Sequence, residues 1–370
     1  MDFSRYLSFS FAFQWTIFFQ NKLIAEVSTD TALRMKESSM SVKSTMKALL
    51  AEAPNSPLRN ADIARPVPGE GQILVRVKAS GVNPLDLKIR AGNAAHARHP
   101  LPAIVGIDMA GIVEEIGAGV SGFRQGDAVY GMTGGVGGIQ GSLAEFAAVD
   151  TALLAPKPQN LSMREAAALP LISITAWEGL VDRAGVKAGQ KVLVLGGGGV
   201  GHIVAQIAKA VGAEVYVVDS ASKADYLAGL GATPIDRDAE TVETYLARHT
   251  ASRGFDLVYD TIGGQGLDTA FRAVSQFGHV VSCLGWGSHA LAPLSFKAAT
   301  YSGVFTLLPL LTGEGRAHHG EIMREMTKLV EAGKVIPKLD PRRFSLADTD
   351  EAHRLIEERQ ADGKLVVEID

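Results

Sequence analysis

Residues 192–195, Val-Leu-Val-Leu, form an unbroken apolar run, the pattern of a strand buried on both faces of a parallel sheet. Glycines 196–199 end the run, and the chain then takes helical spacing. Ile203, Ile207, Ala210 and Val211 share one side, with Ala205 and Ala208 beside them. A second apolar strand follows at 214–219. The alternation then repeats: a helix near 223–229, a strand at 255–260, a helix near 267–274 and a strand at 278–285. Strands alternating with helices predict a parallel, right-handed, doubly wound sheet.

Elsewhere the pattern is different. Between Met46 and about Ala168, short apolar runs (73–79, 104–105, 109–116, 127–130) alternate with glycine-marked turns, which predicts a β-rich, barrel-like domain. Within it, 131–141 reads as a glycine-rich hairpin or flexible flap. From Glu165 onward helices are expected, with a break at Pro170. The tail predicts helices at 319–332 and 348–359 and a closing strand at 364–369, returning to the first domain. The chain thus reads as α/β, with one domain over 46–168 and 308–370 and a doubly wound parallel-sheet domain over 169–307.

Residues 1–45 do not follow either pattern. Six of the fourteen Phe fall there with Trp15, and a polar stretch runs on to Thr45. The apolar part, 6–19, is shorter than the roughly 20 residues a membrane-spanning helix needs. It has neither a basic leader nor a small-residue cleavage site. The expectation is an extension, disordered or non-native, outside the folded domains, with Met46 as the functional start. An interfacial anchor is the alternative.

Bulk properties narrow the function. The chain has 370 residues, a net charge of −4, 46% hydrophobic and 21% charged residues. It therefore has no strongly basic balance to suit nucleic acid or an anionic membrane. Cys283 is the single cysteine, so an intrachain disulfide and a four-thiolate zinc site are both excluded. That suits a reducing compartment, and the cytoplasm is expected.

The candidate chemistry begins at the glycine run. Gly196, Gly198 and Gly201 fit G-x-G-x-x-G after a strand and before a helix. The first glycine serves the tight turn and the second the close approach of backbone N–H groups to a pyrophosphate. The third lets helix and strand pack, and the helix N-terminus faces the anion. Asp219 ends the next strand, 23 residues after Gly196, where a ribose hydroxyl acceptor belongs. Together these define a dinucleotide-binding βαβ unit. Ligands bind such sheets beyond the strand C-termini, here Gly196, Asp219, Asp260 and Leu284-Gly285. None of the seven Tyr has a Lys four places on, which argues against a short-chain dehydrogenase.

The whole chain from about Met46 resembles the medium-chain dehydrogenase/reductase superfamily, and within it the zinc-free quinone oxidoreductases related to zeta-crystallin. The likeness rests on Gly81-Val82-Asn83-Pro84-Leu85-Asp86-Leu87-Lys88-Ile89-Arg90-Ala91-Gly92, Gly106-Ile107-Asp108-Met109-Ala110-Gly111 and Ala167-Ala168-Leu169-Pro170 with Thr175-Ala176. Gly198-Gly199-Val200-Gly201 and the terminal Gly363-Lys364-Leu365-Val366-Val367 complete it. The resemblance implies a GroES-like catalytic domain, an inserted Rossmann domain, an active cleft between them and a homodimer paired along the Rossmann sheet edge. The zinc-using alcohol dehydrogenases carry Cys where Asn83 stands and His-Glu where Ile107-Asp108 stand. Ile107 cannot ligate and Asn83 is a poor zinc ligand, so no zinc is expected.

Candidate catalytic residues are Asn83 as donor to the substrate oxygen, Asp86 and Lys88 on the same segment, and Tyr130 at the cleft. Lys88 stands where relatives often carry Tyr. Each has a plainer alternative: a turn residue, a solvent-facing lysine, a strand-end aromatic. Asp108 reads as a structural carboxylate, and His96 and His99 as surface loop residues. Expected cofactor contacts are Thr175, Gly196, Gly198, Gly199, Val200, Gly201, Asp219, Ser220, Lys223, Asp260, Leu284, Gly285 and Lys364. Two signals conflict over the cofactor. Asp219 favours NAD(H), because a carboxylate repels a 2′-phosphate. Ser220-Ala221-Ser222-Lys223 resembles the Ser-x-x-Lys with which quinone reductases hold the NADP phosphate, and NADP(H) is favoured slightly. The expected activity is zinc-independent hydride transfer from NAD(P)H to a quinone or α,β-unsaturated carbonyl. The alternatives are a metal-independent alcohol or sugar dehydrogenase, or a dinucleotide-binding protein without turnover. The expected partner is a small-molecule substrate, with no nucleic acid and no membrane.

Overall fold

A computed structural model of the chain describes residues 45–370; the expectations for residues 1–44 lie outside it. Strand β1 (Thr45–Ala51) pairs with β2 (Arg59–Ala64) and β4 (Ala103–Ile104) in a three-stranded sheet. A larger sheet is built on β3 (Gln72–Gly81), which pairs antiparallel with β5 (Asp108–Ile116), β7 (Phe146–Asp150) and β16 (Val366–Glu368). β6 (Ala128–Met132), β8 (Leu154–Pro156) and β15 (Phe344–Ser345) complete it. The C-terminal strand therefore lies beside β3, and Lys364 comes to sit near Asn83.

The second large sheet has the order β11-β10-β9-β12-β13-β14 and is parallel throughout. Its strands are β9 (Lys191–Leu195), β10 (Glu214–Asp219), β11 (Thr233–Asp236), β12 (Phe255–Asp260), β13 (Val274–Ser282) and β14 (Thr300–Gly303). β9 lies between β10 and β12, and Val192, Leu193, Val194 and Leu195 are all buried, as a strand of a parallel sheet covered on both faces requires. The fold is thus a GroES-like β-rich domain with a doubly wound Rossmann domain.

Two expectations change. Strand β13 starts at Val274, four residues before the expected Gly278, with a register shift between Val274 and His279 and Phe277 at φ +60°. Residues 131–141 are a packed turn rather than a flap. Val136 is fully buried and Gly137 donates its N–H to Ala97 O at 2.8 Å. A Cβ on Gly134 would lie 1.9 Å from Gln140 O, so glycine there serves close packing, not freedom. Among the described residues, no helix is long and apolar enough to cross a membrane.

Candidate active site

The turn after β9 is shaped by its glycines. Gly196 has φ +89° and hands the chain to the helix Gly201–Val211. A Cβ on Gly201 would stand 1.7 Å from Gly196 O, so the helix can start there only without a side chain. A Cβ on Gly198 would meet no protein atom within 4 Å. Gly198 instead faces a cavity of about 710 Å³ between the two domains, lined also by Gly197, Gly199 and Val200.

Opposite the glycine turn lies a buried polar cluster. Asn83 donates from Nδ2 to Asp108 Oδ2 at 2.9 Å and accepts from Lys364 Nζ at Oδ1. The same ammonium lies 3.3 Å from Asp108. The other Asp108 oxygen accepts the Leu171 N–H at 2.7 Å, so the carboxylate is held from three chain segments. Burial pushes its pKa up, against the pull of Lys364 and of the hydrogen bond from Asn83. Asn83, Lys88, Thr175 and Lys364 all face the cavity. Thr175 spends its own hydroxyl on Leu171 O at 2.7 Å.

Asp86 and Tyr130 do not reach the cavity. Asp86 is buried beneath the segment, where Oδ2 accepts the Asn83 N–H at 2.8 Å and fixes the turn that presents Asn83. Its burial raises the carboxyl from 3.8 to about 7. Tyr130 is wholly buried and points the other way, its hydroxyl donating to Met323 O at 2.9 Å in the C-terminal helix Arg316–Glu331. Alternation along β6 turned the ring inward, and this replaces the expected cleft position.

Among the expected cofactor residues, Lys223 and Leu284 line the cavity, whereas Ser220 and Gly285 do not. Asp260 also stands apart. It is fully buried, accepting the Ile262 N–H at 3.0 Å and the Ser282 hydroxyl at 2.7 Å, and so shapes the loop beyond β12. Asp219 is turned into the protein as well. Its Oδ2 accepts from Gly197 N–H at 2.8 Å and Lys223 Nζ at 3.0 Å, and Oδ1 from Ser220 N–H at 2.7 Å. Burial alone would raise its pKa; these donors outweigh it and hold the carboxyl below its ordinary value.

Several cavity residues gave no local signal in the sequence. His202 is buried, its Nδ1 bonded to Gly198 O at 3.0 Å while Nε2 accepts the Lys338 N–H at 3.4 Å. Burial lowers its pKa to about 4, so the ring is neutral and clamps the glycine turn. Lys338 lies with Nζ 4.8 Å from the Tyr226 ring centroid. Both line the cavity near Lys223, as does Arg359. His96, expected on the surface, lines it too and packs on Trp286. Only the position of Gly198 four residues before His202 was a readable hint.

The site is a two-domain cleft with a glycine turn on one wall and the buried polar cluster of Asn83, Asp108 and Lys364 on the other, the arrangement of a dinucleotide-dependent oxidoreductase. The comparisons agree. Residues 69–159 match the alcohol dehydrogenase GroES-like domain, and 230–367 match the zinc-binding dehydrogenase family. The 2-methylene-furan-3-one reductase of Solanum lycopersicum is 37% identical over 83% of this chain and 74% of its own length. The NADPH-dependent alkenal/one oxidoreductase, chloroplastic, of Arabidopsis thaliana is 34% identical over the same shares, 83% and 74%. A crystal structure of an alcohol dehydrogenase superfamily protein from Novosphingobium aromaticivorans is 57% identical with TM-score 0.87, covering 88% of this chain and 100% of that one. The chain belongs to the medium-chain dehydrogenase/reductase family, on its quinone oxidoreductase-like branch.

Proposed function

We propose that this chain is an NADPH-dependent reductase of quinones or α,β-unsaturated carbonyls that works without zinc. The observation carrying this reading is the cavity that holds the glycine turn 197–200 against Asn83, Lys88 and Lys364. The names of the reductase relatives support it. A bound NADPH supplies a hydride, and the residues of this chain position, neutralise and protonate around that transfer. The N–H groups of the turn and the start of the helix Gly201–Val211 suit a pyrophosphate, and the open space at Gly198 suits its close approach. Lys223, Lys338 and Arg359 suit a 2′-phosphate, and the inward turn of Asp219 removes the repulsion that favoured NAD(H). The other expected cofactor contacts, Thr175, Leu284 and Lys364, share that cavity.

The Lys88 ammonium is the donor we assign to the substrate oxygen, where negative charge develops during reduction, beside Asn83, whose own Nδ2 hydrogens are held by Asp108 Oδ2 and Gly81 O. Lys88 or solvent then returns the proton. Asp86 and Asp108 act as positioning residues for Asn83. A zinc ion is disfavoured by the donor set. Isoleucine stands at 107, and the carboxylate of Asp108 is already matched by the Lys364 ammonium. We take 46–168 with 308–370, and 169–307, as the two domains. We also read the chain as a cytoplasmic homodimer paired along β14, which among the described residues ends the parallel sheet, near the exposed rings of Phe277 and Phe296.

The test is anaerobic turnover of purified protein with NADPH and NADH, using benzoquinone and methyl vinyl ketone, alongside metal analysis. Loss of NADPH absorbance with either acceptor, at substoichiometric zinc, is expected. No oxidation of either nicotinamide, or alcohol-dependent reduction of NADP+ with stoichiometric zinc, would overturn the reading.

A further inference from the structure

At the mouth of the cavity three rings meet from three separate chain segments and from both sides of the cleft. His96 lies on the short turn Ala95–Ala97 of the β-rich domain. Trp286 follows β13, and Phe305 follows β14 at the end of the parallel sheet. The His96 and Trp286 ring centroids are 5.3 Å apart with planes tilted by 36°. His96 and Phe305 are 6.2 Å apart, and Trp286 meets Phe305 edge-on at 6.1 Å and 90°. All three line the cavity.

Trp286 is held out there by its neighbours. A Cβ on Gly285 would stand 2.1 Å from the Tyr301 hydroxyl, and Gly287 turns the chain at φ +114°. Trp286 nevertheless keeps 56% of its surface exposed, although two rings, His96 and Phe305, pack against it. A large apolar ring left half bare at the mouth of a cavity leaves a face open to a ligand. Offset and edge-on ring pairs favour a further flat ring over a flexible chain of the same area.

We infer that His96, Trp286 and Phe305 form an aromatic clamp that selects flat, conjugated, ring-bearing carbonyl substrates over short aliphatic ones. This rests on the reductase reading above. The acceptor class it names is an aryl-substituted enone or a fused-ring quinone, whose ring lies on the exposed face of Trp286 while its carbonyl points inward toward Lys88 and Asn83. His96 comes from the opposite domain, and its ring already packs on both Trp286 and Phe305, so the two domains share the clamp.

The test compares two enones with one reacting group, methyl vinyl ketone and 4-phenyl-3-buten-2-one, on the full chain with saturating NADPH. Wild-type protein is expected to favour the phenyl compound in kcat/KM. Trp286→Ala is expected to lose roughly tenfold more on the phenyl compound than on methyl vinyl ketone, and His96→Ala severalfold more. Trp286→Phe should restore most of the difference. The second measurement needs no turnover: binding of 4-phenyl-2-butanone, the saturated product, to the protein–NADP+ complex by calorimetry, expected to weaken about tenfold in Trp286→Ala. Equal losses on both enones together with unchanged product binding would overturn the clamp. Failure of wild-type protein to reduce either enone would instead strike the reductase reading. The clamp would then stand or fall on whether Trp286→Ala weakens binding of the ring-bearing ketone.

Discussion

The two walls of the cleft are built on opposite principles. On the Rossmann wall, function rests on missing atoms: a glycine at 201 that lets helix meet strand, and a glycine at 198 that leaves room for a ligand. On the β-rich wall it rests on charges that must be present together, Asp108 with Lys364 around Asn83, all nearly excluded from water. The first wall has no room for an added carbon at Gly201; the second tolerates no unpaired charge. Close packing and desolvation are therefore the two constraints that substitutions can separate.

The largest effect is expected on the charged wall. Lys364→Met leaves Asp108 buried without its cation and should cost about 3–5 kcal/mol of stability, read from denaturant midpoints. Adding Asp108→Asn to it should recover part of that loss; no recovery would mean that the pair is not coupled. Next is the pH dependence set by Asp86. Its folded carboxyl, near 7 against 3.8 ordinarily, binds protons that the unfolded chain has released. Stability should therefore fall as pH rises from about 4 to about 7, by at most about 4 kcal/mol, and then level off. Asp86→Asn keeps the acceptor for the Asn83 N–H and should flatten that slope.

On the glycine wall, Gly201→Ala forces a carbon against Gly196 O and should cost about 3 kcal/mol, with loss of NADPH binding by fluorescence titration. Gly198→Ala should leave stability unchanged while weakening NADPH, which would separate room for a ligand from room for the fold. Smaller still is Lys223→Ala, expected to raise the NADPH dissociation constant about tenfold, roughly 1.4 kcal/mol, with a lesser effect on NADH. Equal effects on both would point to a 2′-hydroxyl rather than a phosphate. The smallest is Tyr130→Phe, which removes a hydroxyl bonded to Met323 O and Thr327 Oγ1, for about 1 kcal/mol of stability, and leaves kcat intact.

Much of the glycine wall was readable because its causes are local. A strand, a turn and a helix in succession impose apolar runs and glycines at fixed offsets, so residues 192–219 announced themselves. The charged wall was readable only in its parts. Asn83, Asp108 and Lys364 each lay in a recognisable segment, yet nothing local says that β16 lies beside β3 and brings Lys364 to Asn83. Asp219 shows the limit most clearly. Its position at a strand end spoke for NAD(H), and only its three hydrogen bonds reveal a carboxylate turned inward. Tyr130 fell on the wrong side of its expectation, and His96, exposed as expected, also borders the cleft, for a related reason. Which face of β6 is inward, and which surface turn borders a cleft, depend on neighbours far away in the chain.

By itself the sequence determined the α/β class, the parallel sheet, the glycine turn and the residue types at the family positions, because short-range sterics and hydrophobic periodicity are written within a dozen residues. The tertiary structure alone decided which charges meet, which carboxylates face inward and which rings close the mouth. Those outcomes depend on desolvation and contact between segments hundreds of residues apart, and both arise only once the sheets have packed.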